Sequence, residues 1–343
     1  MFNRKLILQA LFLCFLIVGS IVIIQQQRKA PYQHHKGMVF GTSYSIIYQH
    51  SSNLQTQIQR CLQDVDDALS PFNPHSVITQ VNNNQPVQVN DMFVDVFEMA
   101  QSVASDTHGA FDITVAPLVN AWGFGFKHNR FPEPAFVDSL RQLVGYDKVK
   151  LTPQGIGKYK VEKGDARMML DCSAIAKGYG CDAVARLLRK EGITNFMVEI
   201  GGEVVAQGHN EKQQAWRIGV SKPIDDSLAV HTELQTVLHM THHAMATSGN
   251  YRNFYYKDGK KYAHTIDPRT GYPVQHSLLS ATVVAKSCAL ADAYATAFMV
   301  MGVDSARQIL QRHSNLSAFL IYADKEGKLA TWHSPQLGQL LKE

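Results

Sequence analysis

The stretch His264-Thr265-Ile266-Asp267-Pro268-Arg269-Thr270-Gly271-Tyr272-Pro273 constrains the backbone more than any other ten residues of this chain. Proline fixes φ and glycine frees it, so the loop has a prescribed shape. That shape carries a His, an Asp and an Arg. A stiffened loop with three ionisable groups points to placement of those groups against something. Alone, Asp-Pro and Thr-Gly also mark ordinary turns. The stretch gains weight from companions elsewhere in the chain.

The rest of the chain is a globular composition, 45% hydrophobic and 18% charged over 343 residues. With the N-terminus set aside, that is one large domain or two intimately joined ones. The formal charge of +4 is spread out, with no basic stripe and no interleaved aromatics. Nucleic acid is therefore not an expected partner. Five cysteines, at 14, 61, 172, 181 and 288, form no CxxC pair, which argues against a thiol zinc site or a redox dithiol. Cys61, Cys172, Cys181 and Cys288 read as small buried apolar residues.

Residues 6–24 form an uncharged apolar run behind Arg4 and Lys5. Nineteen residues of helix reach about 29 Å, enough for a bilayer core. A cleavable signal has a shorter apolar region, so residues 1–27 read as a retained anchor. The positive-inside rule places the N-terminus in the cytoplasm and the globular part on the periplasmic or exterior side. Residues 28–36 read as a linker, and 37–343 as the functional domain. Cys14 lacks the small preceding residue that a lipidation site wants.

Helical spacing predicts helices over 54–69, 91–107, 174–191 (Ala183, Val184 and Leu187 inward) and 289–301. Strands are predicted over 39–48, 158–162, 196–200, 216–220, 234–240, 279–284 and 318–322. Their irregular order argues for an α+β fold rather than a doubly wound sheet. Neither GxGxxG after a strand nor GxxxxGK[ST] occurs.

Four segments combine special backbone residues with polar groups. Ser70-Pro71-Phe72-Asn73-Pro74-His75-Ser76 makes a rigid helix exit that presents Phe72. Gly109 to Gly125 surrounds Asp112 with Phe111, Trp122 and Phe124, as a flat heterocycle with polar edges would want; Asp112 also fits a helix cap. Asp171-Cys172-Ser173-Ala174-Ile175-Ala176-Lys177 opens a helix, and a helix N-terminus attracts anions; Asp182 beyond it reads as a solvated or capping group. Asp292 and Thr296 sit four apart on an alanine-rich helix, sharing one face. A carboxylate among alanines needs a partner, and Asp with a hydroxyl suits Mg²⁺. Gly201-Gly202-Glu203 and Ala246 to Tyr251 read as close-approach turns.

In this order the segments resemble the ApbE-type FAD:protein FMN transferase family, from Gly41-Thr42 through GAFDITVAPLVNAWGFG, LDCSAIAKGYGCD, ATSGNY, HTIDPRTGYP and ADAYATA. The resemblance implies an α+β fold of two interlocked lobes with FAD between them. It implies an enzyme outside the cytoplasmic membrane that uses FAD and Mg²⁺. Such enzymes move FMN onto a Thr or Ser hydroxyl of a flavoprotein subunit of a membrane electron-transfer complex, releasing AMP. Carried over by position, Mg²⁺ would be held by the Ala174 carbonyl, Asp292 and Thr296. FAD would meet Phe40, Phe72, Ala110, Phe111, Asp112, Asp171, Lys177 and Ile266. His264 or Asp267 would take the acceptor's proton, with His264 preferred. The chain departs from the family in lacking a lipobox cysteine and in having Phe40 where many members have Met. Two rivals share these features: a Mg²⁺-dependent FAD diphosphatase, and a non-enzymatic membrane-tethered FAD carrier.

Overall fold

A computed structural model of the chain describes residues 4–27, 30–125, 131–223, 233–251, 254–257 and 260–341. Helix α1 (Arg4–Gln27) comes first, then the hairpin β1 (Tyr32–Val39) and β2 (Thr42–Gln49). Helices α2 (Gln55–Leu69), α3 (Val77–Asn82), α4 (Asp91–Asp106), α5 (Ala116–Ala121) and α6 (Pro134–Arg141) follow. Strands β3 (Val149–Gly155) and β4 (Lys158–Lys163) lead to α7 (Ala176–Lys190), β5 (Phe196–Ile200) and β6 (Glu203–Gln207). Then come β7 (Trp216–Ser221), β8 (Leu234–Met240), β9 (His243–Gly249), β10 (Phe254–Lys257), β11 (Lys260–Ala263) and β12 (Leu278–Ala285). Helix α8 (Cys288–Arg312), β13 (Ser317–Ala323) and β14 (Leu329–His333) close the chain.

The fold is α+β, as expected, and its centre is one continuous sheet. Eight strands run in the order β1-β2-β5-β6-β9-β12-β13-β14, every pair antiparallel. The central strands are covered on both faces. Along β13, Ala318 and Leu320 pack with α4 and α8, while Phe319 and Ile321 pack with the β7–β8 hairpin. Period-two alternation between two dry faces explains the nearly unbroken apolar runs LLSATVVA and SAFLIYA. A second helical layer, α2 on α7, covers β2 and β5 through Ile58, Leu62, Val184 and Leu188.

Several boundaries differ from the sequence reading. The supposed strand 39–48 is a hairpin turn followed by a strand. Phe40 (φ 51°) and Gly41 (φ 72°) both take positive φ, the two-residue turn whose twist suits a hairpin. The supposed linker 28–36 is strand from Tyr32 onward, with His35 buried and hydrogen-bonded to Tyr48 at 3.0 Å; Arg28 and Lys29 lie outside the described residues. ATSGNY is mostly the internal strand β9, and Gly201-Gly202 turns into another, β6. The inward residue of α7 is Leu188; Leu187 is only half-buried. Helix α8 extends to Arg312 with a break in helical geometry at Gly302. The expected anchor is helical, but its described side chains run only from 8 to 20. Among the described residues no helix is long and apolar enough to cross a membrane. Cys14 is exposed, Cys61 half-buried, and Cys172, Cys181 and Cys288 buried; all five are free thiols.

Candidate active site

A cavity of about 900 Å³ opens beside the helical layer, within the range of cofactor clefts. Its walls come from segments far apart in sequence. Phe40 enters from the β1–β2 turn and Phe72 from the exit of α2. Ala110, Phe111, Asp112 and Phe124 come from the segment after α4. Asp171, Ala174 and Lys177 come from the start of α7, and His264 and Ile266 from the proline-rich loop. Asp292 and Thr296 from α8 close it. Every residue expected to meet FAD or Mg²⁺ lines this cavity, and so does His264; Asp267 does not.

The proline-rich loop is braced throughout. Asp267 N–H donates to the Tyr272 carbonyl at 3.0 Å and Gly271 N–H to the Asp267 carbonyl at 2.8 Å. Trp122 Nε1 donates to the Gly271 carbonyl at 2.8 Å. The Asp267 carboxylate is taken up by Arg269, whose Nε and Nη2 each lie at 2.9 Å. Asp267 therefore shapes the loop, and His264 is the titratable group that the loop brings to the cavity. Its ring sits edge-on to Phe124, with centroids 6.4 Å apart.

Asp112 serves as the cap that its sequence context allowed. Its Oδ1 accepts from the Thr114 amide at 2.8 Å and hydroxyl at 2.7 Å, and Oδ2 accepts from the Tyr146 amide at 2.8 Å. Burial raises its carboxyl above the ordinary carboxylate range, against those hydrogen bonds. Asp182 is likewise a cap, but for the neighbouring helix. It accepts from the Ser287 hydroxyl and from the first two amides of α8, Cys288 and Ala289, at 2.7 to 3.0 Å.

The polar end of the cavity lies where α7 crosses α8. The two helices approach closely because position 178 is glycine. A Cβ there would stand 2.7 Å from the Cys288 carbonyl carbon and 2.8 Å from the Ala289 Cα. Close approach lets the Gly178 amide donate across to Asp292 Oδ2 at 3.1 Å. An uninterrupted helix would give that amide to the Ala174 carbonyl, which is left without its helical partner beside the cavity. Asp292 is 2% exposed. Burial raises its pKa, opposed by the charge of Lys177 and the Gly178 amide. Lys177 Nζ lies 3.9 Å from Asp292 Oδ2 and 3.1 Å from Glu203 Oε1. Burial works against the ammonium, but the two carboxylates outweigh it and hold the lysine protonated. Ser248 and Thr296 share a hydroxyl hydrogen bond at 3.1 Å.

Glu203 is the member of this cluster that sequence reasoning passed over as a strand-closing turn. It is 3% exposed, its Oε2 has no hydrogen-bond partner, and burial raises its carboxyl above the ordinary range against the charge of Lys177. Two buried carboxylates thus share one ammonium. Such a site favours one more positive charge. Among the described residues no three His, Cys, Asp or Glu side chains cluster as a metal cage. The donors that do converge are one open carboxylate, a hydroxyl and a freed carbonyl. That set fits a hard cation that completes its shell with phosphate and water, as Mg²⁺ does.

A profile of the ApbE family matches residues 40–320. The FAD:protein FMN transferase of Salmonella typhimurium is 33% identical over 338 residues, 95% of each chain. That of Escherichia coli K12 is 35% identical over 317 residues, covering 89% of this chain and 88% of the relative. The solved structure of the flavin transferase ApbE from Vibrio cholerae superposes with a TM-score of 0.80 at 33% identity, over 91% of this chain and all of that one. The chain belongs to the ApbE family.

Proposed function

We propose that the chain is an FAD:protein FMN transferase. A Thr or Ser hydroxyl of an acceptor flavoprotein attacks the FMN phosphorus of FAD. The new P–O bond forms as the bond to the bridging oxygen breaks; AMP leaves with that oxygen, and the hydroxyl proton passes to a base. The observation that carries this reading is the composition of the cavity. It brings together aromatic and apolar side chains (Phe40, Phe72, Phe111, Ile266), suited to a flavin, and Lys177, Asp292 and Thr296, suited to a diphosphate.

The roles follow from position. Lys177 places an ammonium where phosphate oxygens would lie. Asp292, Thr296 and the Ala174 carbonyl would hold Mg²⁺, which when bound offsets the charge that builds on the transferring phosphoryl group. His264, on a loop whose shape is fixed independently of substrate, takes the acceptor's proton. Helix α1 would tether the domain to the cytoplasmic membrane on its periplasmic face, near acceptor subunits of electron-transfer complexes.

The test is the intact mass of an acceptor domain incubated with the full chain, FAD and Mg²⁺, with and without EDTA. A gain of one FMN less water, lost with EDTA, is the expected result. Free FMN and AMP with an unmodified acceptor would mean a diphosphatase. Intact bound FAD and no product would mean a carrier. Asp292→Ala is expected to abolish transfer while sparing much of FAD binding. His264→Asn should lower kcat by about 10²–10⁴-fold, the usual contribution of a positioned base.

A further inference from the structure

Glu203 lines the cavity, yet the proposed reaction gives it nothing to do. It opens β6, whose neighbours in the sheet are β5 and β9, so its backbone is fixed. One carboxylate oxygen meets Lys177 at 3.1 Å and the other meets no donor. Leaving a buried carboxylate oxygen unpartnered costs stability, so its retention asks for a reason.

The reason lies in what Lys177 would otherwise do. Its ammonium stands 3.9 Å from Asp292 Oδ2, so a rotation about its last bonds would bring it into hydrogen-bond range. Oδ2 already accepts from Gly178, and among the described residues no group donates to Oδ1. An ammonium seated on Asp292 would neutralise the carboxylate and occupy the space a cation needs. Two carboxylates compete for one flexible lysine, and the geometry shows Glu203 holding it.

We infer that Glu203 is a positioning residue: by retaining the Lys177 ammonium on the β6 side of the cavity, it keeps the Asp292 carboxylate open for Mg²⁺. This rests on the reading of Asp292 as a metal carboxylate. The unpartnered oxygen gives Glu203 room to follow Lys177 when the lysine turns toward a diphosphate, without surrendering it to Asp292.

The experiment is calorimetric titration of Mg²⁺ into the full chain saturated with FAD, acceptor absent, for the wild type, Glu203→Gln and Glu203→Gln/Lys177→Met. Acceptor flavinylation against Mg²⁺ concentration is read in parallel. Glu203→Gln should weaken Mg²⁺ binding by about 10–100-fold, the range for outer-shell partners of metal ligands. Its flavinylation should recover at raised Mg²⁺. The double variant, which lacks the competing ammonium, should bind Mg²⁺ more tightly than Glu203→Gln alone. A merely structural Glu203 would produce neither the recovery nor the reversal. Unchanged Mg²⁺ affinity in Glu203→Gln, or a double variant no tighter than the single one, overturns the inference while leaving the metal reading intact. A wild type that takes up no Mg²⁺ overturns both. Should Glu203→Gln not fold, Glu203→Asp keeps the charge but withdraws it by one methylene. It is then judged by the same criterion, a weakening with recovery at raised Mg²⁺.

Discussion

Replacing Gly178 by Ala sets two effects against each other, and the structure decides between them. Position 178 lies inside α7, where Ala is favoured over Gly by about 0.8–1.0 kcal/mol. Against that, the new Cβ would stand 2.7 Å from the Cys288 carbonyl carbon and 2.8 Å from the Ala289 Cα, with the carbonyl oxygen nearer still. These are backbone atoms at the start of α8, which Asp182 pins in place. No side-chain rotation relieves the clash, so the helices must part. Restoring an ordinary contact of 3.4 Å from 2.7 Å takes roughly 0.7 Å. The Gly178 N–H···Asp292 bond, now 3.1 Å, would lengthen to roughly 3.8 Å and cease to be a hydrogen bond. Overpacking costs about 1–3 kcal/mol, and the lost charged hydrogen bond about 1.5–3 kcal/mol. After the propensity gain, a net loss of about 1.5–5 kcal/mol is expected from urea unfolding at unchanged m value. Mg²⁺-dependent flavinylation should fall with it, because the same shift displaces Asp292 and Thr296 from Lys177 and the Ala174 carbonyl. A Gly178→Ala protein as stable as the wild type, with normal flavinylation, would refute the claim that this crossing builds the polar end of the cavity.

Three further outcomes are expected. With metal removed by EDTA, stability should decline as pH rises above the ordinary carboxylate range. Burial raises the Glu203 carboxyl above its ordinary 4.5 in the folded state, so above that value the folded protein binds more protons than the unfolded one. Asp292, also raised, acts in the same direction; melting curves should show a shallower decline for Glu203→Gln, and an equal slope would count against a buried Glu203. Asp182→Ala removes the acceptor of three bonds at the start of α8 and should lower stability by about 1–2 kcal/mol, visible in the urea midpoint. Native thiol labelling near pH 8 should spare Cys172, Cys181 and Cys288, which are buried, and label Cys61 slowly, since burial and nearby Asp64 push its thiol up to about 11. Fast labelling of all four would mean that the helical layer opens.

What the sequence revealed and what it hid divide along a physical line. Asp292 and Thr296 were legible because helix periodicity is local: four residues always return to one face, and the surrounding alanines announced burial. The proline-rich loop was legible because Pro and Gly act on their own φ. Phe40 was misplaced within a strand because an aromatic at positive φ is not an expected turn residue, and only the antiparallel register of β1 and β2 puts it there. Strand β9, HAMATSG, escaped because its small and polar residues look like a turn; in the sheet they are small so that α8 can lie against them, as the Ser248–Thr296 contact shows.

Glu203 is the extreme case. After two glycines a lone glutamate reads as solvated, and no local pattern marks it otherwise. Its burial is made by the sheet, which seats β6 between β5 and β9. Its partner is made by a different element, α7, which brings Lys177 from 26 positions earlier in the chain. The charge balance of the site, two carboxylates to one ammonium, exists only once both are in place. Sequence motifs therefore identify groups that could touch a diphosphate or a cation. Whether the site favours a cation depends on a residue that its motif marked only as part of a turn, because that preference is a sum over charges that folding alone brings within 4 Å.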